Sequence, residues 1–272
     1  MNYSLLKKRY QYSLILLREL VITEFKLRYQ GSVLGYLWSL LKPLFLFVIL
    51  YFVFVHFLRV GSEVPNWPIA LLFGIVLWNF FSEITNNGVG AVVGRGDVIR
   101  KINFPKYVIV IASSVSALIN LLLNLVVLTI FMIVAKVDLG WSALLAPLFI
   151  IELFIFGVGI AFILSTLFVK YRDMNYIWEI ITQALFYGSA IIYPLSMIST
   201  TNIELAKLIL LSPITQSVQD ARWSLIDHAN VTASVLGSNI WMQLFPFILS
   251  IATFAFGAWL FKKNSPYFAE NI

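Results

Sequence analysis

The sequence predicts an all-α integral membrane fold, and three observations carry that prediction: an apolar composition, apolar runs of bilayer length, and basic residues gathered on alternate loops. Of the 272 residues, 60% are hydrophobic and 12% charged, with mean hydropathy +0.89. A soluble domain carries about twice that charged fraction. A hydrocarbon core of about 30 Å requires roughly 20 apolar residues per helix. Six runs approach that length: Leu40–Leu58, Ile69–Val93, Val108–Val134, Leu144–Val169, Ile177–Ile198 and Ile240–Phe261. The second is interrupted in its latter half by Asn79, Glu83, Asn86 and Asn87.

Six spans place the N-terminus, the loops near 94–107 and 170–176, and the C-terminus on one side. That side holds 15 of the 19 Lys and Arg residues; Arg59, Lys136, Lys207 and Arg222 fall on the other. The positive-inside rule then puts both termini in the cytoplasm. An odd number of spans would destroy this alternation. The first 30 residues carry Lys7, Lys8, Arg9, Arg18, Lys26 and Arg28 ahead of any full run, which is unlike a cleavable signal. The net charge of +6 sits in short flanks between spans and does not point to nucleic acid. The absence of cysteine excludes disulfides and thiolate metal sites.

The whole chain reads as one transmembrane domain, with residues 1–39 ahead of the six spans of 40–261 and a tail at 262–272. Within 1–39, Leu14, Leu17, Val21 and Phe25 recur at spacings of three and four, and Glu24 with Arg28 makes an i,i+4 pair. This predicts a helix over about 12–30 lying in the membrane interface. Gly31, Ser32 and Gly35 break it. The loop Gly94–Lys106 has helix signals of its own: Asp97 as cap, Val98, Ile99 and Ile102 as an apolar face, and Pro105 as stop. A helix under two turns needs something to pack on; held by lipid headgroups, it is a basic linker. Residues 199–239 form the largest external piece, with an apolar segment Ile203–Leu211 and a second helix to Ile226 opened by Ser212-Pro213 as N-cap and N1. Pro194 permits a break near the outer end of the fifth span. Two short helices dipping into the outer leaflet account for this stretch.

Catalytic constellations are absent from the sequence. His56 and His228 are the only histidines, and neither has a ligand at metal-binding spacing. There is no Gly-x-Ser-x-Gly elbow and no Gly-rich loop ending in Lys-Ser or Lys-Thr, so nucleotide binding falls to another subunit if ATP drives the protein. Polar groups inside spans are Asn79, Glu83, Asn120, Asn124, Glu152, Glu179 and Gln183. Each is either a transport group or interhelical glue. The chain's 23 Phe, 12 Tyr and 8 Trp include Tyr51 and Phe52 in the first span and Phe186, Tyr187 and Tyr193 in the fifth. These rings suit sugars by stacking, or serve as lipid-facing bulk and interface anchors.

Four segments in order carry a family resemblance: Phe25-Lys-Leu-Arg-Tyr-Gln-Gly-Ser-Val-Leu-Gly-Tyr-Leu-Trp-Ser-Leu-Leu-Lys-Pro43, Ile99-Arg-Lys-Ile-Asn-Phe-Pro-Lys106, Lys170-Tyr-Arg-Asp173 followed by Trp178, and Tyr193-Pro194. Over essentially its whole length the chain resembles the membrane subunit of type-2 ABC exporters for cell-surface polysaccharides, among them O-antigen, capsule, rhamnose-polysaccharide and teichoic acid permeases. The resemblance implies that Asp97, Val98, Ile99, Arg100, Lys101, Ile102, Asn103, Phe104, Pro105 and Lys106 form a coupling helix docking into a partner ATPase. Tyr171, Arg172 and Asp173 would be the second contact, and the interface helix with Glu24, Lys26, Arg28 and Tyr29 would flank the same partner. The helices at 203–211 and 213–226 would be external gate helices. The first and fifth spans would line a conduit in a homodimer, with Tyr51, Phe52, Phe186, Tyr187, Tyr193, Pro194, Pro213 and Arg222 as conduit or gate residues. Ser212-Pro213 stands where the family often has Asn-Pro, and Ser caps equally well.

The function so implied is that of a plasma-membrane permease without catalysis of its own, exporting a lipid-linked glycan. Its partners would be a second copy, two ATPase subunits that bind ATP and Mg, the glycan and membrane lipid. A type-2 exporter of drugs, and an ion-coupled carrier or channel, are the alternatives. The former would lack a glycosyltransferase neighbourhood, and the latter would run without an ATPase.

Overall fold

The computed structural model describes residues 14–24, 26, 32–35, 37–102, 104–237 and 239–271, and among them there is helix but no strand. Residues 14–24 form α1. Then follow α2 (Leu37–Leu50), which continues as a π-helical turn Tyr51–Phe57, and α3 (Trp67–Ala91). A short α4 (Gly96–Lys101) leads to α5 (Tyr107–Val134) and α6 (Ala146–Lys170). Beyond these lie α7 (Met174–Gly188), α8 (Ser196–Thr201), α9 (Ile203–Leu210), α10 (Pro213–Leu225), α11 (Ile240–Asn264) and α12 (Phe268–Asn271). Prolines open several of these where their missing N–H costs nothing: Pro68 in α3, Pro147 in α6 and Pro213 in α10.

Five helical stretches are long and apolar enough to cross a membrane: Leu37–Phe57, Trp67–Ala91, Tyr107–Val134, Trp141–Lys170 and Ile240–Asn271. They match five of the six expected spans closely. The expected span Ile177–Ile198 is not one continuous helix. α7 is 15 residues long and ends at Gly188, which gives about 22 Å of rise against a core of about 30 Å. The break follows at Ala190, whose backbone is left-handed at φ 50, and that conformation stops a right-handed helix. Pro194 comes after the break, just ahead of α8.

α3 and α6 form the centre. The apolar stretch of α3 is 78% buried, whereas that of α2 is only 11% buried. Close approach is set by small residues. A β-carbon on Gly159 of α6 would lie 2.6 Å from the Phe254 backbone of α11, and one on Gly257 would strike the Gly159 carbonyl. Gly88 of α3 meets Ala161 of α6 in the same way, 2.5 Å from its β-carbon. Aromatic layers fill the remaining space: Phe80 stacks on Phe154 at 6.1 Å and Phe81 on Phe156 at 5.9 Å.

Several local expectations are corrected. On α1 the buried residues are Leu20 and Val21, while Leu14 is exposed, so the apolar face is rotated from the expected stripe. Phe25, Arg28, Tyr29 and Asn103 lie outside the described residues, and with Arg28 goes the expected Glu24–Arg28 pair. α4 begins at Gly96, so Asp97 sits in its first turn beside the positive helix end rather than capping it. Ile102 has extended backbone beyond the last turn, and the run ends there, ahead of Pro105. Ser212 does occupy the N-cap of α10, but its side chain makes no cap bond.

Candidate functional site

The short helix α4 is held from three directions. Its Ile99 is buried, and so is Phe104 just beyond it. Arg95, immediately before α4, donates to the Glu24 carboxylate of α1 at 3.1 Å, an ion pair spanning 71 residues. Lys106 donates to the Ser265 carbonyl and lies 5.9 Å from the Phe268 ring centre. Burial pulls the Lys106 ammonium below the ordinary lysine value, and the Glu270 charge opposes that shift. Phe268 is itself buried against Phe261, with ring centres 5.1 Å apart. With Ile99 turned inward, Asp97, Arg100, Lys101 and Ile102 are exposed. Tyr171, Arg172 and Asp173, at the turn into α7, are exposed too, and Arg172 lies 5.4 Å from the Phe168 ring. Lys26 is likewise exposed. One end of the molecule thus carries a braced, outward-facing surface on which Lys26, Arg100, Lys101 and Arg172 outnumber Asp97 and Asp173.

At the other end α10 is buried along most of its length although it is polar. Thr215, Gln216, Ser217, Gln219, Arg222 and Ser224 are all buried. Arg222 is completely enclosed. Its Nε donates to the Ala70 carbonyl at 2.8 Å, Nη1 to Ala190 at 3.0 Å and Nη2 to Ile191 at 2.6 Å, and the guanidinium lies 5.1 Å from the Trp67 ring. Gln219 donates to the same Ala190 carbonyl at 3.1 Å. Gly74 leaves the room, because a β-carbon there would collide with the guanidinium. One side chain therefore ties α10 to the first turn of α3 and to the broken end of α7, where the carbonyls lack helical partners.

The candidate conduit residues divide by placement. Phe52 is exposed on the π-turn that follows α2, and Tyr187 on α7. Tyr51 and Phe186 are half-buried, the latter 5.5 Å from the Trp78 ring. Tyr193 donates its hydroxyl to the Tyr187 carbonyl at 2.9 Å, bracing the break. Pro194, Pro213 and Arg222 are sealed inside, around α10 and the break after α7.

Two clefts flank α2. One of about 430 Å³ lies among α2, α3 and α5, and one of about 330 Å³ opens between α3 and α7. Asn79, Ser82 and Asn86 wall both. The sequence displayed Asn79 and Glu83 as in-span polar groups and Asn86 and Asn87 as interruptions of a span; their three- and four-residue spacing was the signal of a polar face. Asn120 donates to Glu83 at 2.6 Å across α5 and α3. Asn124 donates to the Ser39 carbonyl at 3.4 Å across α5 and α2. Both are interhelical ties. Glu152 is buried in α6. Among the described residues no cluster could hold a metal ion. His228 stacks on Trp223 at 4.4 Å, and His56 lies in the π-turn beside Phe52 and Phe57.

A helical membrane domain with a braced basic surface at one end and a polar, pinned helix at the other has the form of a transport component. The ABC-2 type transporter family matches residues 15–225, and the chain belongs to that family. It is 29% identical over 194 residues to the O-antigen export system permease protein RfbA of Myxococcus xanthus, covering 71% of this chain and 74% of that protein. A Klebsiella pneumoniae protein of the same name is 31% identical over 197 residues, covering 71% and 75%. The polysialic acid transport protein KpsM of Escherichia coli is 24% identical over 192 residues, covering 66% and 70%.

Proposed function

We propose that this chain is the permease subunit of an ATP-driven exporter that moves a lipid-linked polysaccharide or teichoic-acid-type polymer out across the plasma membrane. The observation that carries this reading is its similarity, over about seven tenths of its length, to permeases named for O-antigen and polysialic acid transport. Two copies line the conduit and two ATPase subunits, holding ATP and Mg, drive it. The apolar faces of α2 and α7 support the pairing, since Phe45, Phe52, Phe57, Ile180 and Tyr187 are exposed on a single copy. Both termini are cytoplasmic, the basic residues supporting that orientation. α7 with the segment that follows it to Ile198 makes the remaining crossing, and α9 with α10 forms the external gate.

The push enters through α4. Its exposed Arg100 and Lys101 meet the ATPase, Tyr171–Asp173 make the second contact, and the Glu24–Arg95 pair moves α1 with them. Deleting the gene tests the reading: surface polysaccharide disappears while lipid-linked glycan accumulates inside the cell. Normal surface polysaccharide in the deletion strain would refute it.

A further inference from the structure

α3 is the most enclosed span, yet Asn79, Ser82, Glu83 and Asn86 recur on it at spacings of three and four and so share one face. A buried helix presents such a face only where something polar meets it. α2 lies over it between the two clefts, and Asn79, Ser82 and Asn86 are common to both. Interhelical bonding accounts for Glu83, Asn120 and Asn124 but not for Asn79, Asn86 or Asn87. Among the described residues, Asn79, Asn86 and Asn87 make no bond to another helix; Asn86 reaches only Ser82 Oγ, at 2.9 Å on its own helix. The Asn87 amide nitrogen and the Asn120 amide oxygen are buried without a partner, leaving one donor and one acceptor open.

We propose that this face of α3 is a binding track for neutral sugar units, covered by α2 and opened when α2 moves; the inference rests on the export reading above and narrows it to a polysaccharide of neutral sugars rather than a phosphate-bearing polymer. Amide side chains both donate and accept, as a sugar hydroxyl does. Trp38, at the mouth of the larger cleft, offers a ring for stacking. The cleft's 430 Å³ falls in the range of small-molecule sites, about 300–1,000 Å³. Charge disfavours phosphate: among the described residues Lys42 is the single cation lining either cleft, Glu83 shares its cleft, and the second cleft has Glu179 and no cation. The cover is loosely held. α2 has 11% of its apolar stretch buried, contains Pro43, and ends in the π-turn Tyr51–Phe57, a geometry that recurs where helices deform. Displacing α2 would join both clefts into one hydrated groove running alongside α7.

The chain has no cysteine, so single-cysteine reporters need no background removal. Asn86→Cys and Ser82→Cys report on the track, and Ile130→Cys, exposed on α5, reports on lipid. The complete transporter is labelled with a hydrophilic maleimide in membranes from cells that make the lipid-linked glycan, and from cells lacking the first glycosyltransferase. Only a hydrated, ionised thiol reacts, so the track reporters should label at least about tenfold faster than Ile130→Cys in glycan-free membranes. The glycan should slow them at least about fivefold, and inorganic pyrophosphate should not. Labelling unaffected by glycan, protection by pyrophosphate, or track rates as slow as Ile130→Cys would each overturn the proposal. Ser82→Cys preserves the test if Asn86→Cys fails to assemble. Loss of surface polysaccharide on gene deletion is read separately, so the track can fail while the export function stands.

Discussion

Arg222 bonds to three carbonyls on two other parts of the chain, Ala70 of α3 and Ala190 and Ile191 of the break after α7. An arginine can serve all three because its planar fork carries five donors. Removing it leaves those carbonyls enclosed and unbonded, at about 1–3 kcal/mol each where water cannot reach them. Arg222→Leu should therefore lower the melting temperature of the detergent-solubilised protein sharply, with Arg222→Lys intermediate because one ammonium cannot span the three acceptors. Gly74→Ala should act in the same direction, since its methyl would occupy the place of the Arg222 Nη2 that donates to Ile191. A thermal melt unchanged by Gly74→Ala would show that the pocket is looser than the structure has it. The sequence offered Arg222 as a charged residue on the sparsely basic side, but nothing local marks its acceptors, which are main-chain atoms 31 to 152 residues away. Its enclosure was not legible for that reason.

The short elements were readable as signals and less readable as packing. The bounds of α9 and α10 follow Ser212-Pro213 and the apolar run before it, within a residue of expectation. In α4 the inward turn of Ile99 agrees with the apolar pattern, whereas Ile102, expected on the same face, lies past the last turn and is exposed. What it packs near does not: the tail helix with buried Phe268 supplies part of that floor, and a four-residue helix has no periodicity to read. Reversing charge at Arg100 and Lys101 should abolish co-purification of the ATPase while membrane insertion stays intact; co-purification at wild-type yield would reject the docking role of α4. The Glu24–Arg95 pair is partly exposed and contributes at most about 1 kcal/mol. Its test is a swap: Glu24→Arg and Arg95→Glu each weaken transport-coupled ATP hydrolysis, and the double swap restores it. Failure of the double swap would show that the two sites act separately. Between α6 and α11, Gly159→Leu should separate the helices and destabilise the fold by several kcal/mol, as overpacking a close backbone contact does, and a thermal melt would register it.

Across the whole molecule, five of the spans were legible because continuous apolar runs of bilayer length have few other uses. The broken one was not, because Ile177–Ile198 is also apolar and the left-handed turn at Ala190 precedes the one visible signal, Pro194. The same break supplies two of the carbonyls that Arg222 holds, so the interruption of the apolar pattern is where α10 is fastened. The polar stripe on α3 had the same ambiguity: in sequence it weakens a span, and in the fold it walls two clefts. The molecule thus has an exposed, braced basic end, a pinned polar end, and a loosely seated α2 between them. The account requires the basic end to face the cytoplasm, where an ATPase can push it. A single cysteine at Arg100, in a chain that has none, measures this directly with a membrane-impermeant maleimide. Labelling in inverted membrane vesicles and none in intact cells is the expected result. Labelling of intact cells from outside would put α4 on the wrong face and contradict the mechanism.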